Sequence, residues 1–392
     1  MNNYICFIKS QFYTYPKHSD MKKVLPFIVC CLSCIPAFAN DGALYATGNQ
    51  LIPVNETDIS VKKEVLTLNR VGNIMQVNVY YEFFNPSAEK ELLVGFEADE
   101  FGKDPFSAFP EHPSIQNFKV VINGEPQTFD VAHVGFSYDS GGHKVTDKYV
   151  IDGQIKGMPR EECEGLLNEM ECLDAFFDYV YYFTAKFRPG LNIIQHTYDF
   201  DLSVAFNGRV NYFPYVLTAA NRWANHQIDD FTLLVDMGDR ISFYIQPTFW
   251  KDGDEWEILG KGRYAPVAAG IPDRVQFHMQ HGSIRFHKEN FHPDGELNIS
   301  AAVWTWPGHY DFESFSKQYM PLPPEDDDYD RFTPEQRRIA RNLPFAYRGY
   351  IFNSKELQDY FESTTWYIPN PDYKADVATL NENEQNWVAF WK

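Results

Sequence analysis

The sequence predicts a mainly β body followed by a small all-α C-terminal module. Three observations carry that prediction: apolar residues alternate with period two over most of the chain, Asn-Gly dipeptides sit between alternating runs, and three helix-start signals crowd into the last sixty residues. The body reads as an antiparallel β-sandwich, with two smaller lobes parted near 215–225 as the alternative.

The first 39 residues read as leader. Met21-Lys22-Lys23, the apolar run Val24 to Leu32 and Ala37-Phe38-Ala39 form the charged start, hydrophobic middle and small-residue cleavage site of a secretory signal peptide. Residues 1–20 then read as an upstream extension, and cleavage falls after Ala39. The apolar run is too short to span a bilayer. A lipid-anchored Cys34 is the competing reading, but Cys31-Leu32-Ser33-Cys34 lacks the large aliphatic residue such a site carries three positions earlier. The expected location is the periplasm or the medium, with no transmembrane segment in the mature chain.

Cleavage removes four lysines and one aspartate, so the net charge goes from −20 to −23. A balance so acidic repels phosphate backbones, which argues against nucleic acid as a partner. Four of the six cysteines leave with the leader. Cys163 and Cys172 remain as an even pair in an oxidising compartment, and a disulfide between them is expected. One unbroken helix over Arg160 to Asp174 would hold their Cα atoms about 13 Å apart, too far for a bridge. Gly165 offers the break that lets the chain turn back; two thiols buried as small hydrophobes are the alternative.

Within the body (40–318), Met75, Val77, Val79, Tyr81 and Phe83 face one side while Gln76, Asn78, Tyr80 and Glu82 face the other. The same alternation recurs at Leu92 to Phe96, Phe231 to Val235, Ile241 to Ile245, Val275 to Met279 and Leu297 to Val303. Each run is a half-buried strand. Asn123-Gly124 and Asn207-Gly208 supply hairpin turns, and one helix is expected from Pro159 to Phe176. Asn40-Asp41-Gly42, Gly48 to Pro53, Glu56 to Ile59, Val79 to Asn85 and later Tyr215 to Trp223 follow one another in an order similar to an uncharacterised secreted family. That resemblance implies a β-rich extracytoplasmic domain and brings no catalytic residues.

Met320-Pro321-Leu322-Pro323-Pro324, followed by the acidic run Glu325 to Asp330, reads as a linker over 319–332. Beyond it, Thr333-Pro334-Glu335-Gln336 combines a capping hydroxyl, a proline at the first helical position and a Gln three residues after the cap. Asn353-Ser354-Lys355-Glu356 repeats the logic, with Phe352 and Leu357 as a hydrophobic staple. Asn381 with Glu384 opens a third helix, on which Trp387, Val388 and Trp391 share a face. Three such short helices must pack together, admitting Trp366 and Tyr367 from the connecting segment. Arg341-Asn342, Gly349-Tyr350, Phe352, Leu357 to Phe361, Trp366-Tyr367, Pro369-Asn370 and Leu380 to Glu384 fall where the YARHG domain has similar residues, and the segment resembles that domain over 338–390. The signature Tyr-Ala-Arg-His-Gly departs, reading Phe345-Ala346-Tyr347-Arg348-Gly349. The resemblance implies an extracytoplasmic module associated with the bacterial envelope.

Candidate chemistry is sparse. His278, His281, His287 and His292 lack the helical His-Glu-x-x-His spacing of a zinc site, and the acidic run lacks the glycine turn and distal glutamate of a calcium loop. No nucleophile elbow or phosphate-cradling loop is present, and no cofactor or metal is expected. With 17% aromatic residues, the candidates for an exposed binding surface are Trp304, Trp306, Trp366 and Tyr367, together with Arg348 of the divergent signature. Core packing is the alternative for Trp366. The expected function is non-catalytic binding or surface association, with cell-wall polymer, glycan or another envelope protein as partner. The alternatives are a hydrolase of envelope polymers using body carboxylates and a structural accessory docking through its tail.

Overall fold

The computed structural model describes residues 51–53, 58–98, 111–138, 144–146, 150–151, 154–155, 177–202, 210–266, 275–302, 330 and 332–392. In chain order the strands are β1 Leu51–Pro53, β2 Ser60–Val71, β3 Ile74–Asn85, β4 Lys90–Ala98, β5 Ile115–Ile122, β6 Glu125–Gln127, β7 Asp130–Tyr138, β8 Lys144–Thr146, β9 Val150–Ile151, β10 Gln154–Ile155, β11 Phe177–Phe187 and β12 Gly190–Asp201. They continue with β13 Val210–Tyr215, β14 Ile228–Asp236, β15 Ile241–Ile245, β16 Trp256–Pro266, β17 Val275–Phe291 and β18 Leu297–Ala302. Helices α1 Pro334–Ala346, α2 Lys355–Glu362 and α3 Glu382–Phe390 follow. None of the described helices is long and apolar enough to cross a membrane.

Every alternating run read from the sequence lies in a strand as far as the described residues reach, Val303 falling outside them, and the outcome is a mainly β body with a helical tail. One sheet runs β13-β18-β15-β17-β14-β2-β3-β12-β5-β6, with β16 also paired to β17; the second runs β1-β4-β11-β7-β8. Asn123 and Gly124 both take positive φ, 50° and 86°, and turn β5 into β6 as a two-residue hairpin. Among the described residues the ladders are antiparallel except between β2 and β14, which run parallel. More than 150 residues separate those two strands, so no hairpin constrains their direction. The leader, Asn207-Gly208, the Pro159 to Phe176 segment, Cys163 and Cys172, and the Pro-rich acidic stretch up to residue 329 lie outside the described residues.

The two sheets close on one aromatic core. Phe96 of β4 packs against Phe118 of β5, at a ring separation of 5.0 Å, and against Tyr198 of β12 at 5.3 Å. Two polar features are sealed inside it. Glu64 is fully buried and accepts a hydrogen bond from the Tyr215 hydroxyl at 3.2 Å, while that hydroxyl also meets the Tyr81 hydroxyl at 3.2 Å. Burial pushes both phenols well above their ordinary range. His196 is equally buried, ringed by Tyr81, Phe96, Phe118 and Tyr198, and neither of its ring nitrogens has a hydrogen-bond partner among the described residues.

Burial therefore drives the His196 imidazole down to about 3 from its ordinary 6.5. Between those values the unfolded chain binds a proton that the folded chain refuses, so stability falls as pH drops below 6.5. The slope is about 1.4 kcal/mol per pH unit for one such group. Urea denaturation from pH 7 to 4 will show His196→Phe losing one proton's worth of that slope relative to the parent, which cancels the carboxylate contributions common to both. An unchanged slope would show that His196 does not titrate as described.

Candidate functional site

The tail builds its own core first. Thr333 Oγ accepts from Gln336 N while Gln336 Oε1 accepts from Thr333 N, Ser354 caps α2 through Leu357 N, and Asn381 and Glu384 form a second reciprocal box. These are the three starts read from the sequence. Trp387 donates its indole N–H to Ala340 O at 2.7 Å, fastening α3 to α1. Trp366 and Tyr367, with 1% and 2% of their surface exposed, fill the centre. Neither presents its ring to solvent; Trp304 and Trp306 lie outside the described residues.

The divergent signature sits where the tail meets the body. Gly349 has φ +82°, and a Cβ there would lie 2.3 Å from Ile368 O, so only glycine lets the two segments cross. The crossing is fixed by Asn370 N donating to Gly349 O at 2.7 Å. Arg348 is held within the tail: its guanidinium gives two parallel hydrogen bonds to Glu384, at 2.8 and 2.7 Å, and a third to Pro344 O. Glu384 also accepts from Asn381 N. The pair is buried, with side-chain exposures of 11% and 4%. Charges so desolvated persist only because every oxygen is paired.

Tyr347, at the place the family gives to arginine, points into the body instead. Its ring meets His278 of β17 edge-on at 4.8 Å, and its hydroxyl hydrogen-bonds Ser242 of β15, whose Oγ lies 2.7 Å from His278 Nδ1. Around this chain the body reaches for tail carbonyls: Arg263 donates to Thr364 O and Thr365 O, Lys261 to Pro369 O at 2.9 Å and Gln280 to Ile368 O. The tail is thus seated on β15, β16 and β17. A Ser–His pair at 2.7 Å invites comparison with a nucleophilic dyad. Here burial, reinforced by the Arg263 cation, holds the imidazole near 3, so it remains neutral and a poor proton acceptor. Among the described residues its Nε2 faces no hydrogen-bond partner, where a catalytic triad has its orienting carboxylate. The pair serves docking.

The other three histidines of the cluster disperse. His281 is exposed, His287 pairs with Asp230 at 3.0 Å, and His292 bonds His226 O at 2.6 Å. Among the described residues no group of three potential ligands gathers for a metal.

Two concavities stand out among the described residues. One, of about 410 Å³, opens on the outward face of β2, β3, β12 and β5, where Thr67, Asn78, Thr197 and Lys119 form one cross-strand row and Asn69, Gln76 and Asp199 the next. A register shift between Thr197 and Asp199 and a left-handed Asn117, φ 56°, break the β5 ladder there and bring Asn117 Nδ2 to 2.7 Å from Asp199 Oδ2. The other, of about 280 Å³, lies in the seam, with Asp239, Arg240, Gln280 and His281 on the body side and Arg348, Asn370, Tyr373 and Thr379 on the tail side. Sequence reading found Arg348 but neither concavity, because outward strand positions such as Asn78 carry no signal beyond polarity.

Replacing Arg348 by Met strands Glu384 in the tail core and will cost about 3–5 kcal/mol in chemical denaturation. Adding Glu384→Gln, which keeps the cap, will restore most of that loss. If the single variant costs less than about 1 kcal/mol, the pair is not buried as described.

Residues 314–392 match the model of the YARHG domain, and residues 39–149 match that of a domain of unknown function (DUF4424). No curated protein matches the chain. Among solved structures, the crystal structure of a candidate nutrient-binding protein from Legionella pneumophila is similar at 17% identity and a TM-score of 0.44, covering 88% of this chain and 97% of that one. A likeness at that level carries neither fold nor ligand across. The chain thus combines a body that begins with a match to the domain of unknown function and a tail that matches the YARHG domain.

Proposed function

We propose that the mature chain is an exported envelope protein that binds a glycan, without covalent chemistry, across the polar groove of β2, β3, β12 and β5. The observation that carries this reading is the groove floor. Thr67, Asn69, Gln76, Asn78 and Thr197 set neutral donors and acceptors in rows across adjacent strands, at roughly 4.8 Å between strands and 6.8 Å along them. Carboxamides and hydroxyls at that repeat complement the hydroxyls of a sugar chain, each giving and accepting in turn. Lys119 and Asp199 leave the groove near neutrality in an otherwise acidic protein, which suits an uncharged polymer better than a polyanion. The leader pattern and the YARHG match support a place outside the cytoplasm.

The test is titration calorimetry of the mature protein with soluble peptidoglycan fragments and chito-oligosaccharides, beside sedimentation with intact sacculi. The paired change Asn78→Ala and Thr197→Val will weaken binding at least tenfold while moving stability by no more than about 0.5 kcal/mol, as surface changes do. Undiminished affinity in that variant, or no binding to any of these polymers, defeats the reading. Release of new reducing ends would establish a hydrolase instead.

A further inference from the structure

The seam cavity is a second candidate site, independent of the groove. Most of the cations around the seam are already committed. Lys261 and Arg263 donate to tail carbonyls, and Arg348 is locked to Glu384. Arg240 is different: among the described residues its guanidinium has neither a carboxylate nor a carbonyl partner, although it lines the cavity. It also sits in a conformation that a side chain rarely adopts. Arg240 has φ 53° in the β14–β15 turn, two residues after Gly238 at φ 94°, and its backbone N–H is fixed to Gln280 O at 3.1 Å. Glycine would occupy that position without strain. The arginine there is exposed, and its charge acts on the nearby Tyr347 hydroxyl rather than on a carboxylate among the described residues.

A planar guanidinium with no carboxylate partner among the described residues, on the wall of an open cavity, complements a carboxylate, which takes two parallel hydrogen bonds from it. Asp239, Asn370 and Thr379 line the same cavity and offer oxygen acceptors for a neighbouring N–H group. A volume of about 280 Å³ falls at the small end of ligand cavities, which run from roughly 300 to 1,000 Å³. That admits a solute of dipeptide size rather than a polymer. We propose that the seam cavity binds the carboxylate end of a small peptide, anchored by Arg240, and that the ligand thereby pins the tail to the body. The coupling follows from the walls: a ligand that needs Asn370 and Thr379 of the tail beside Arg240 of the body binds only the docked arrangement and stabilises it in proportion to its saturation.

The mature protein is titrated calorimetrically with alanyl-alanine, with alanyl-alanine amide and with inorganic phosphate, and the release of the tail by limited proteolysis is followed at each saturation. Alanyl-alanine is expected to bind, the amide at least tenfold more weakly, phosphate more weakly than the acid, and tail release to slow as alanyl-alanine saturates. Arg240→Gly, which relieves the left-handed strain and so leaves folding intact, is expected to lose at least tenfold in affinity for alanyl-alanine. Absence of binding by the acid, equal affinity for acid and amide, phosphate binding as tight as the acid, unaltered tail release or undiminished affinity in Arg240→Gly would each overturn the proposal.

Discussion

The pairing of β16 with β17 is the constraint on which the rest depends. Gly260 and Gly282 face each other across that hairpin, and a Cβ on either would fall within 2.5 Å of the opposing backbone. Both take positive φ, and the register shifts at Lys261 and Gly262 just beyond. Beyond β16, the seventeen-residue strand β17 serves two further neighbours. Its C-terminal half pairs with β14 and so with the groove-bearing part of the sheet, while its N-terminal half pairs with β15. The same N-terminal half carries His278 and Gln280 beneath the tail.

The energetics of the seam follow from desolvation. Body and tail meet through uncharged or charge-donating groups set against main-chain carbonyls, which remain acceptors whatever side chains surround them. The buried ion pair of Arg348 and Glu384 is kept inside the tail, where a capping box and a helix carbonyl complete its hydrogen bonding. This arrangement accounts for the altered signature. The third position of the motif faces a neutral, buried imidazole that already has the Arg263 cation nearby. A second cation there would meet repulsion and a desolvation penalty, whereas a tyrosine offers an aromatic edge and one hydroxyl. The fourth position faces Glu384, and an arginine answers it in two places at once.

What the sequence disclosed and what it withheld divide along the range of the interactions. Thr333 with Gln336 and Asn381 with Glu384 lie within one helical turn, and Asn123-Gly124 acts over two residues, so their outcomes are legible locally. Alternation at Met75 to Phe83 is equally local. The parallel partnership of β2 with β14, the groove assembled from Thr67, Asn78, Lys119 and Thr197, and the seating of the tail all join residues far apart in the chain. Arg263, Lys261 and Gln280 hold the tail through carbonyls of Thr364 to Pro369, and a carbonyl leaves no mark on the sequence. Trp366 illustrates the converse: a conspicuous aromatic whose role is to fill the core of a sixty-residue module.

The central claim is that the tail is joined energetically to the body, through Tyr347, Ser242 and His278, rather than merely tethered to it. A double-mutant cycle of Tyr347→Phe with Ser242→Ala, measured by chemical denaturation of the protein, isolates that contact from the losses each change causes separately. Contact across the seam predicts a coupling of about 0.5–3 kcal/mol. Additivity of the two changes within about 0.3 kcal/mol would contradict it.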